Sequence, residues 1–227
     1  LSLSNPFDRG SAASVVSARR VVLAGGVLGT LDLLLRSRDE HRTLPNVSRQ
    51  LGRIVRTNSE AIVGILSDDP DKDLTEGVTV SSHFFPDGHT HITQNRFPPE
   101  DRMSRWQMGP MVDAPVPWRR SLRTLAQFVV HPRRSTVAWR ARNYGRRVSV
   151  LTVMQHMDNQ IAFRLGRSWL PPFRKGLRSQ VVAGKSAPSY LPVANRAARL
   201  FADHAGGTPL NVILENVANL SVTAHIF

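Results

Sequence analysis

The chain has 227 residues, 41% of them apolar, and its 30 Lys and Arg residues against 17 Asp and Glu residues give a formal net charge of +13. A folded chain of this length buries about 70% of the surface that it exposes when unfolded, so disorder along its whole length is not expected. Because the chain has no cysteine, a disulfide framework, a thiolate metal site and a thiol nucleophile are excluded.

The first predicted elements are a strand, a glycine turn and a helix. Residues 20–24 (RVVLA) are typical of a short buried strand, and residues 28–37 favour a helix. Gly25 and Gly26 turn the chain between them. Asp32 interrupts the surrounding apolar run, which is shorter than the ~20 residues of a membrane-spanning helix. Glycines let a ligand approach the backbone and helix N-terminal amides attract anions, so this is either an ordinary tight turn or a binding turn.

Downstream, the sequence predicts strands over residues 61–66, 78–82 and 90–97. Three histidines lie in this region, and two of them, His89 and His91, would share one strand face, where two imidazoles can bind a metal. The third is His83. The His-Thr-His pair is similar to a cupin-type metal motif, but that motif needs a glutamate a few residues on, where this sequence reads ITQN. We therefore predict no metal site.

Most of the positive charge lies in one segment. Residues 96–147 hold 12 Arg and three acidic residues, which is +9 of the net +13. Within the segment, residues 118–130 predict an amphipathic helix. Its expected apolar face consists of Leu122, Leu125, Phe128 and Val129, and its arginines Arg119, Arg120 and Arg123 lie mostly on the other side. The helix could be an ordinary solvated surface, a helix that lies on a membrane, or a nucleic-acid site. Nucleic acid is not favoured, because zinc-finger spacing, RNA-binding aromatic motifs and a heptad zipper are all missing from the sequence.

The last third of the chain predicts a hairpin, a helix and a final strand. Residues 148–157 and 160–165 would pair through an Asp-Asn turn. Residues 189–205 predict a helix with Pro192 in its first turn and two glycines after its end. Its expected apolar face consists of Val193, Ala197, Leu200 and Phe201. Residues 220–227 alternate like a strand, and the whole indicates a mixed α+β fold.

Five segments together resemble the glucose-methanol-choline family of FAD-dependent oxidoreductases, in its bacterial cholesterol-oxidase-like branch. They occur in the same order as in that branch: RRVVLAGGVLGTLDLLLRS (19–37), LGRIVRTNSEAIVG (51–64), VMQHMDNQIAFRL (153–165), SYLPVANRAARLFADHAGG (189–207) and NLSVTAHIF (219–227). The resemblance covers nearly the whole chain from about residue 19.

The resemblance implies FAD as cofactor and a sterol or other small alcohol as substrate, with a hydride passing from the carbinol carbon to flavin N5. It assigns the catalytic role to His225, which would hydrogen-bond the substrate hydroxyl or remove its proton, as an imidazole can near neutral pH. It implies that the FAD-contacting residues are Gly25, Gly26, Gly29 and Thr30, with Asn58 and Ser59 near the isoalloxazine.

One position departs from the family. Cholesterol oxidases that also isomerise the steroid use a substrate-domain glutamate, which the resemblance puts at or beside Gln94. An amide cannot shuttle a proton, so we expect Gln94 to contact substrate in an enzyme that oxidises alcohols without isomerising them. Glu100 is the alternative carboxylate.

The implied organisation has three parts. Residues 1–60 would be a partial FAD-binding domain, residues 61–215 a substrate-binding domain of mainly antiparallel sheet with a helical cap, and residues 216–227 the return to the FAD domain. We expect an internal fragment that neither retains FAD nor turns over alone, since the Gly-x-Gly-x-x-Gly turn and the Gly-Gly-Cys after the histidine would lie outside it. The basic segment would contact a membrane as a cap over the substrate pocket. The alternative function is a non-enzymatic basic module that binds anionic membranes or nucleic acid.

Overall fold

The computed structural model describes residues 2–3, 14–168, 173–221 and 225–226. Its strands are β1 (Ser2–Leu3), β2 (Ser14–Val15), β3 (Glu60–Ser67), β4 (Val80–Asp87), β5 (Thr90–Asn95), β6 (Met108–Pro110), β7 (Val148–Gln155), β8 (Ile161–Arg167), β9 (Lys175–Val181) and β10 (Gly207–Val212). Its helices are α1 (Gly26–Asp39), α2 (Pro117–Val130), α3 (Pro132–Ser135), α4 (Val137–Arg140), α5 (Tyr144–Arg147), α6 (Pro192–Ala205) and α7 (Ile213–Val217), with one 3₁₀ turn at Ser104–Gln107. The predicted α+β class is confirmed.

The chain divides into two compact units, one of residues 1–51 and 165–178 and the other of residues 52–164 and 179–227. The first unit contains α1, which confirms the predicted helix and extends it at both ends. The predicted strand at residues 20–24 is wrong: these residues have no regular structure, and Val22 is 89% exposed. A strand needs a neighbour that completes its hydrogen bonds, and an apolar run alone does not supply one.

A six-stranded sheet forms the centre of the second unit. Its order is β4-β5-β7-β3-β10-β6, and every neighbouring pair is antiparallel. Three of its strands confirm the predictions for residues 61–66, 78–82 and 90–97, although β4 begins two residues later and continues to Asp87. The sheet therefore has the antiparallel architecture that the sequence predicts for this region.

Both faces of this sheet are covered, which explains why its central strand β3 is apolar almost throughout. On one face, Ala61, Val63 and Ile65 of β3 join Leu151 and Val153 of β7 in a core with α6. On the other face, the buried side chains come from β3, β6, β7 and β10 and from the short helices α4 and α5. They are Leu66, Met108, Ala138, Tyr144, Val148, Val150, Leu210 and Val212.

Helix α6 confirms the prediction for residues 189–205 in its existence and in its end at Gly206, whose φ of +64° suits glycine. The predicted apolar face is only partly correct, since Leu200 is 56% exposed. The buried face consists of Ala194, Asn195, Ala197, Ala198 and Ala202. Small side chains let the helix axis lie close to the sheet, so the larger residues remain at the edge of the contact.

The predicted hairpin at residues 148–165 is wrong. β7 pairs with β3 and β5, whereas β8 pairs with β9. Asp158 and Asn159 do not reverse the chain between two paired strands. Asp158 forms ion pairs with Arg56 and Lys185, and the buried Asn159 binds the backbone and hydroxyl of Thr57. These contacts hold the loop against residues 56–59, away from a hairpin geometry.

Helix α2 confirms the predicted helix, but three of the four side chains on its expected apolar face are exposed, and only Phe128 is half-buried, stacked on Trp139. Arg120 is fully buried and Thr124 beneath it is too, whereas Leu122, Leu125 and Val129 are 58%, 50% and 81% exposed. The Arg120 guanidinium donates to the Ala114 carbonyl (3.0 Å), the Ser189 hydroxyl (2.7 Å) and the Asn219 side-chain oxygen (2.9 Å). Its burial lowers the pKa of Arg120. A buried cation is tolerated where such acceptors replace water.

Candidate active site

Three side chains converge where β3 begins. Glu60 is the first residue of β3, and Asn58 lies two positions earlier. Glu60 Oε1 is 2.7 Å from His225 Nδ1 and 2.9 Å from Asn58 Nδ2, and Asn58 Nδ2 is 3.0 Å from His225 Nδ1. An antiparallel bridge between Thr57 and Ile226 brings the end of the chain to this point. We call Asn58, Glu60 and His225 the histidine cluster.

The cluster has a buried side and an exposed side. The Glu60 side chain is 1% exposed and the His225 side chain 66%. A carboxylate that lies beneath an accessible imidazole and bonds one of its nitrogens orients the ring and stabilises positive charge on it. The arrangement is therefore suited to proton transfer at the surface of the protein.

A second layer of polar side chains supports the cluster from below. Asn159 accepts from the Thr57 amide (2.9 Å) and hydroxyl (3.1 Å) and donates to the Ser59 hydroxyl. Ser59 is fully buried, and its φ of +44° is unusual for a residue with a side chain. The backbone N–H of Gln155 donates to the backbone carbonyl of Asn58 at 3.0 Å. These bonds fix the backbone from which the Asn58 side chain extends.

A pocket of about 550 Å³ adjoins the cluster and includes Asn58 in its wall. Its lining residues are Arg56, Thr57, Asn58, Phe85, Gly88, His89, Thr90, His91, Met154, Gln155, His156 and Met157. The His91 ring stacks on Phe85, with centroids 4.7 Å apart. Hydrogen bonds from the His89 amide, at 2.8 Å, and the Thr90 hydroxyl lower the pKa of Asp87 at the end of β4. Aromatic and apolar walls with a few polar groups are typical of small-molecule sites.

The structure brings together some of the predicted site residues. Asn58 and His225 are in contact, and the buried Ser59 follows Asn58 in the chain with its hydroxyl bonded to Asn159. Gln94 is not part of the pocket wall; its amide nitrogen donates to the Ser149 hydroxyl at 2.9 Å. Helix α2 does not contribute to that wall either, so the expected cap over the pocket is not formed by it within the described residues.

The predicted FAD turn lies in the first unit. Helix α1 begins at Gly26, whose φ is +65°, and Gly25 before it supplies no side-chain cap. The first turn has no acidic residue, and a Cβ atom added at Gly26 or Gly29 would meet no neighbouring atom within 4 Å. Thr30 follows and is half-buried. The turn thus leaves uncapped helix amides accessible.

Sequence reasoning missed Glu60 and Asn159. The available signal for Glu60 was its position in the same segment as Asn58, which was already a candidate. For Asn159 the sequence suggests only a turn, since its partners lie 100 and 102 positions away. Within the described part of the chain, no group of three His, Asp or Glu side chains is arranged to hold a metal ion.

Among the described residues, no helix is both long enough and apolar enough to cross a membrane. No family model matches the chain, and no solved structure matches it either.

Curated proteins do match. A protein of Acinetobacter baumannii named cholesterol oxidase is 32% identical over 207 residues, which cover 91% of this chain and 36% of that protein. A protein of Mycobacterium tuberculosis (strain H37Rv) with the same name is 34% identical over 227 residues, covering 92% of this chain and 36% of the relative. The chain thus spans about a third of the length of these relatives. Over nine tenths of its length, this chain is similar to one part of proteins named cholesterol oxidase.

Proposed function

We propose that this chain supplies the substrate pocket and the catalytic histidine of an FAD-dependent oxidoreductase that oxidises a sterol-like alcohol. The observation that carries the proposal is the histidine cluster at the edge of the pocket, in a chain similar to proteins named cholesterol oxidase. The pocket volume of about 550 Å³ lies within the range of small-molecule sites, roughly 300–1,000 Å³.

His225 is the catalytic base in this proposal. The substrate hydroxyl gives its proton to the exposed imidazole while the carbinol hydrogen leaves with its electron pair as a hydride, and a carbonyl forms. Asn58 lies in both the pocket wall and the histidine cluster, so it aligns the reacting end of the alcohol with His225. The apolar remainder of the substrate contacts Phe85, Met154 and Met157.

FAD fits the residues of the glycine turn. The uncapped amides at the start of α1 and the open space at Gly26 and Gly29 can accept an anionic group close to the backbone. Gly25, Gly26, Gly29 and Thr30 are the residues that would hold FAD there. When bound, FAD supplies the acceptor for the hydride.

Isomerisation is not part of the proposed reaction. Gln94 offers an amide, which cannot shuttle a proton, and that amide is bonded to Ser149. We expect the oxidised sterol to keep the double-bond position of its substrate.

The test is expression of the complete reading frame that encodes this chain, followed by measurement of cholesterol oxidation with oxygen or a dye as acceptor. His225→Ala should lower kcat by about 100-fold or more, as removal of a general base does. His204→Ala is the matched control, because His204 is an exposed histidine of α6 whose one hydrogen bond to a described residue goes to the Leu200 carbonyl of the same helix. Full activity in His225→Ala would refute the catalytic assignment.

A second proposal concerns the partner of α2. Its exposed stripe of Trp118, Leu122, Leu125 and Val129 is accompanied by arginines and by no acidic residue of the helix. Apolar side chains beside cations are what an anionic lipid surface binds, so we propose that α2 lies on a membrane that contains acidic lipids.

Co-sedimentation with phosphatidylcholine vesicles, with and without phosphatidylglycerol, tests the membrane contact. Binding should need the acidic lipid, weaken with salt, and fall in the double variant Leu122→Ser/Leu125→Ser. The control is Leu200→Ser, an equally exposed leucine on α6. Equal binding of all variants, or binding to duplex DNA in preference to vesicles, would overturn the proposal.

A further inference from the structure

Glu60 is a buried acid whose side-chain oxygen contacts two nitrogen atoms among the described residues. Its Oε1 oxygen contacts both Asn58 Nδ2 (2.9 Å) and His225 Nδ1 (2.7 Å). A buried carboxylate oxygen needs hydrogen-bond donors, because it has lost its water. The amide nitrogen of Asn58 is one such donor.

The second donor follows from the geometry at His225. A ring nitrogen 2.7 Å from a carboxylate oxygen forms a hydrogen bond only if a proton lies between them. If Nδ1 instead accepted from Asn58, its lone pair would face the lone pairs of Glu60. Reversing the Asn58 amide does not help, since its oxygen would then lie about as close to the carboxylate as the nitrogen does now, 2.9 Å.

We propose that Glu60 is a positioning residue that holds His225 in the tautomer protonated at Nδ1. In the neutral ring, Nε2 is then the nitrogen with the lone pair, and it is the atom that accepts the proton of the substrate hydroxyl. The tautomer is a property of the chain itself, whereas its use as a base rests on the proposed function.

The surrounding structure supports this role. Asn58 Nδ2 and Glu60 Oε1 both lie within 3.0 Å of His225 Nδ1, so one amide and one carboxylate approach a single imidazole. The bonds of Asn159 to Thr57 and Ser59 fix the turn before β3. Glu60 is therefore a buried side chain on a fixed backbone, and it contacts an imidazole that is largely exposed.

The direct test is the tautomer of His225 in the 227-residue chain. Long-range ¹H–¹⁵N correlation spectra of histidine-labelled protein distinguish a protonated from an unprotonated ring nitrogen, and the spectrum of His225→Gln identifies the signals of His225. In the wild type the neutral ring should carry its proton on Nδ1. In Glu60→Leu we expect most of it on Nε2, the form that an unconstrained imidazole prefers.

Two further variants distinguish an effect of Glu60 on the His225 tautomer from a general loss of folded structure. Glu60→Gln keeps a carbonyl oxygen near Nδ1, so it should retain more of the wild-type tautomer than Glu60→Leu even if the latter is poorly folded. Glu76→Leu removes an exposed acid and should leave the His225 signals unchanged. An Nε2-protonated wild type, or the same tautomer in the wild type and both Glu60 variants, would refute the proposal.

Activity gives a separate readout in the complete protein. Glu60→Leu should lower kcat about 100- to 10,000-fold with little change in KM, by analogy with the loss that a wrong histidine tautomer causes in acid–histidine pairs. Glu60→Gln should recover part of that loss. If Glu60→Leu changes the tautomer of His225 but the complete wild-type protein oxidises no alcohol, the positioning role is upheld and the proposed function is refuted. Full activity in Glu60→Leu would refute the positioning role alone.

Discussion

Helices α2 and α6 both span 14 residues and both begin with a proline, yet they are held in opposite ways. α6 packs on the sheet through a face made mostly of alanine. α2 is anchored by Arg120 and Thr124 and leaves most of its apolar stripe in contact with solvent. Periodicity thus identifies a helix, but the partners available in the fold decide which face is buried.

Among substitutions that test this contrast between the helices, we expect replacement of Arg120 to change the free energy of unfolding most. Arg120→Ala removes the cation and leaves the Ser189 and Asn219 acceptors without their donor, so we expect the free energy of unfolding to fall by about 2–4 kcal/mol. Urea unfolding followed by circular dichroism measures it. Arg119→Ala on the exposed side should change stability by less than about 0.5 kcal/mol. Equal effects of the two variants would show that α2 is not held by its polar face.

The next prediction concerns the pH dependence of stability and rests on Glu215 of α7, the helix that packs against α2. Burial raises the pKa of Glu215 from 4.5 to about 8, and the hydrogen bond from the Ile62 backbone amide and the charge of Arg120 offset only part of this rise. A raised carboxyl pKa means that the folded state holds the proton more tightly, so the contribution to stability is complete below pH 4.5 and is lost as pH rises through 8.

Glu215→Gln keeps a neutral side chain at every pH. Relative to the wild type it should therefore gain about 2 kcal/mol at pH 9 and little at pH 4. Thermal unfolding of both proteins across this pH range is the measurement. A constant stability difference between the two proteins would contradict the burial of a neutral acid beneath α2.

A smaller effect is expected on α6. Ala198 is fully buried against the sheet, so Ala198→Leu should overpack the contact and reduce stability by about 1–3 kcal/mol. Leu200→Ala, on the exposed side of the same helix, should cost less than about 0.5 kcal/mol. If instead Leu200→Ala were the more destabilising change, α6 would be held by the face that periodicity alone predicts.

The sequence predicts the sheet well and the connections poorly. Strand β3 is recognisable because residues 61–66 in its middle are apolar without interruption, as burial on both faces requires. The hairpin after β7 fails because Asp158 and Asn159 have side-chain partners in the segment before β3, and these contacts override the turn preference of the pair. The strand at residues 20–24 fails because it has no neighbour in the described chain.

The candidate site shows the same division. His225 and Asn58 can be selected from the sequence because they belong to segments that resemble a family. The role of Glu60 depends on a contact with a residue 165 positions away, which local pattern does not reveal. The glycine turn and the FAD assignment remain predictions, as do the domain boundaries at residues 60 and 215.

The single bridge between Thr57 and Ile226 also has a consequence for folding. It joins the two ends of the second unit, and the Asn58–His225 contact beside it closes a loop of 167 positions. The pairing of β10 with β3 closes loops of similar length, such as that between Val63 and Asn211. Once that pairing has formed, only the residues from 211 to 226 remain to be closed, so this contact should form after the sheet. It can also open without unfolding the sheet, because one isolated bridge is a small part of the total stability. We therefore expect the histidine cluster to form late and to open separately from the sheet.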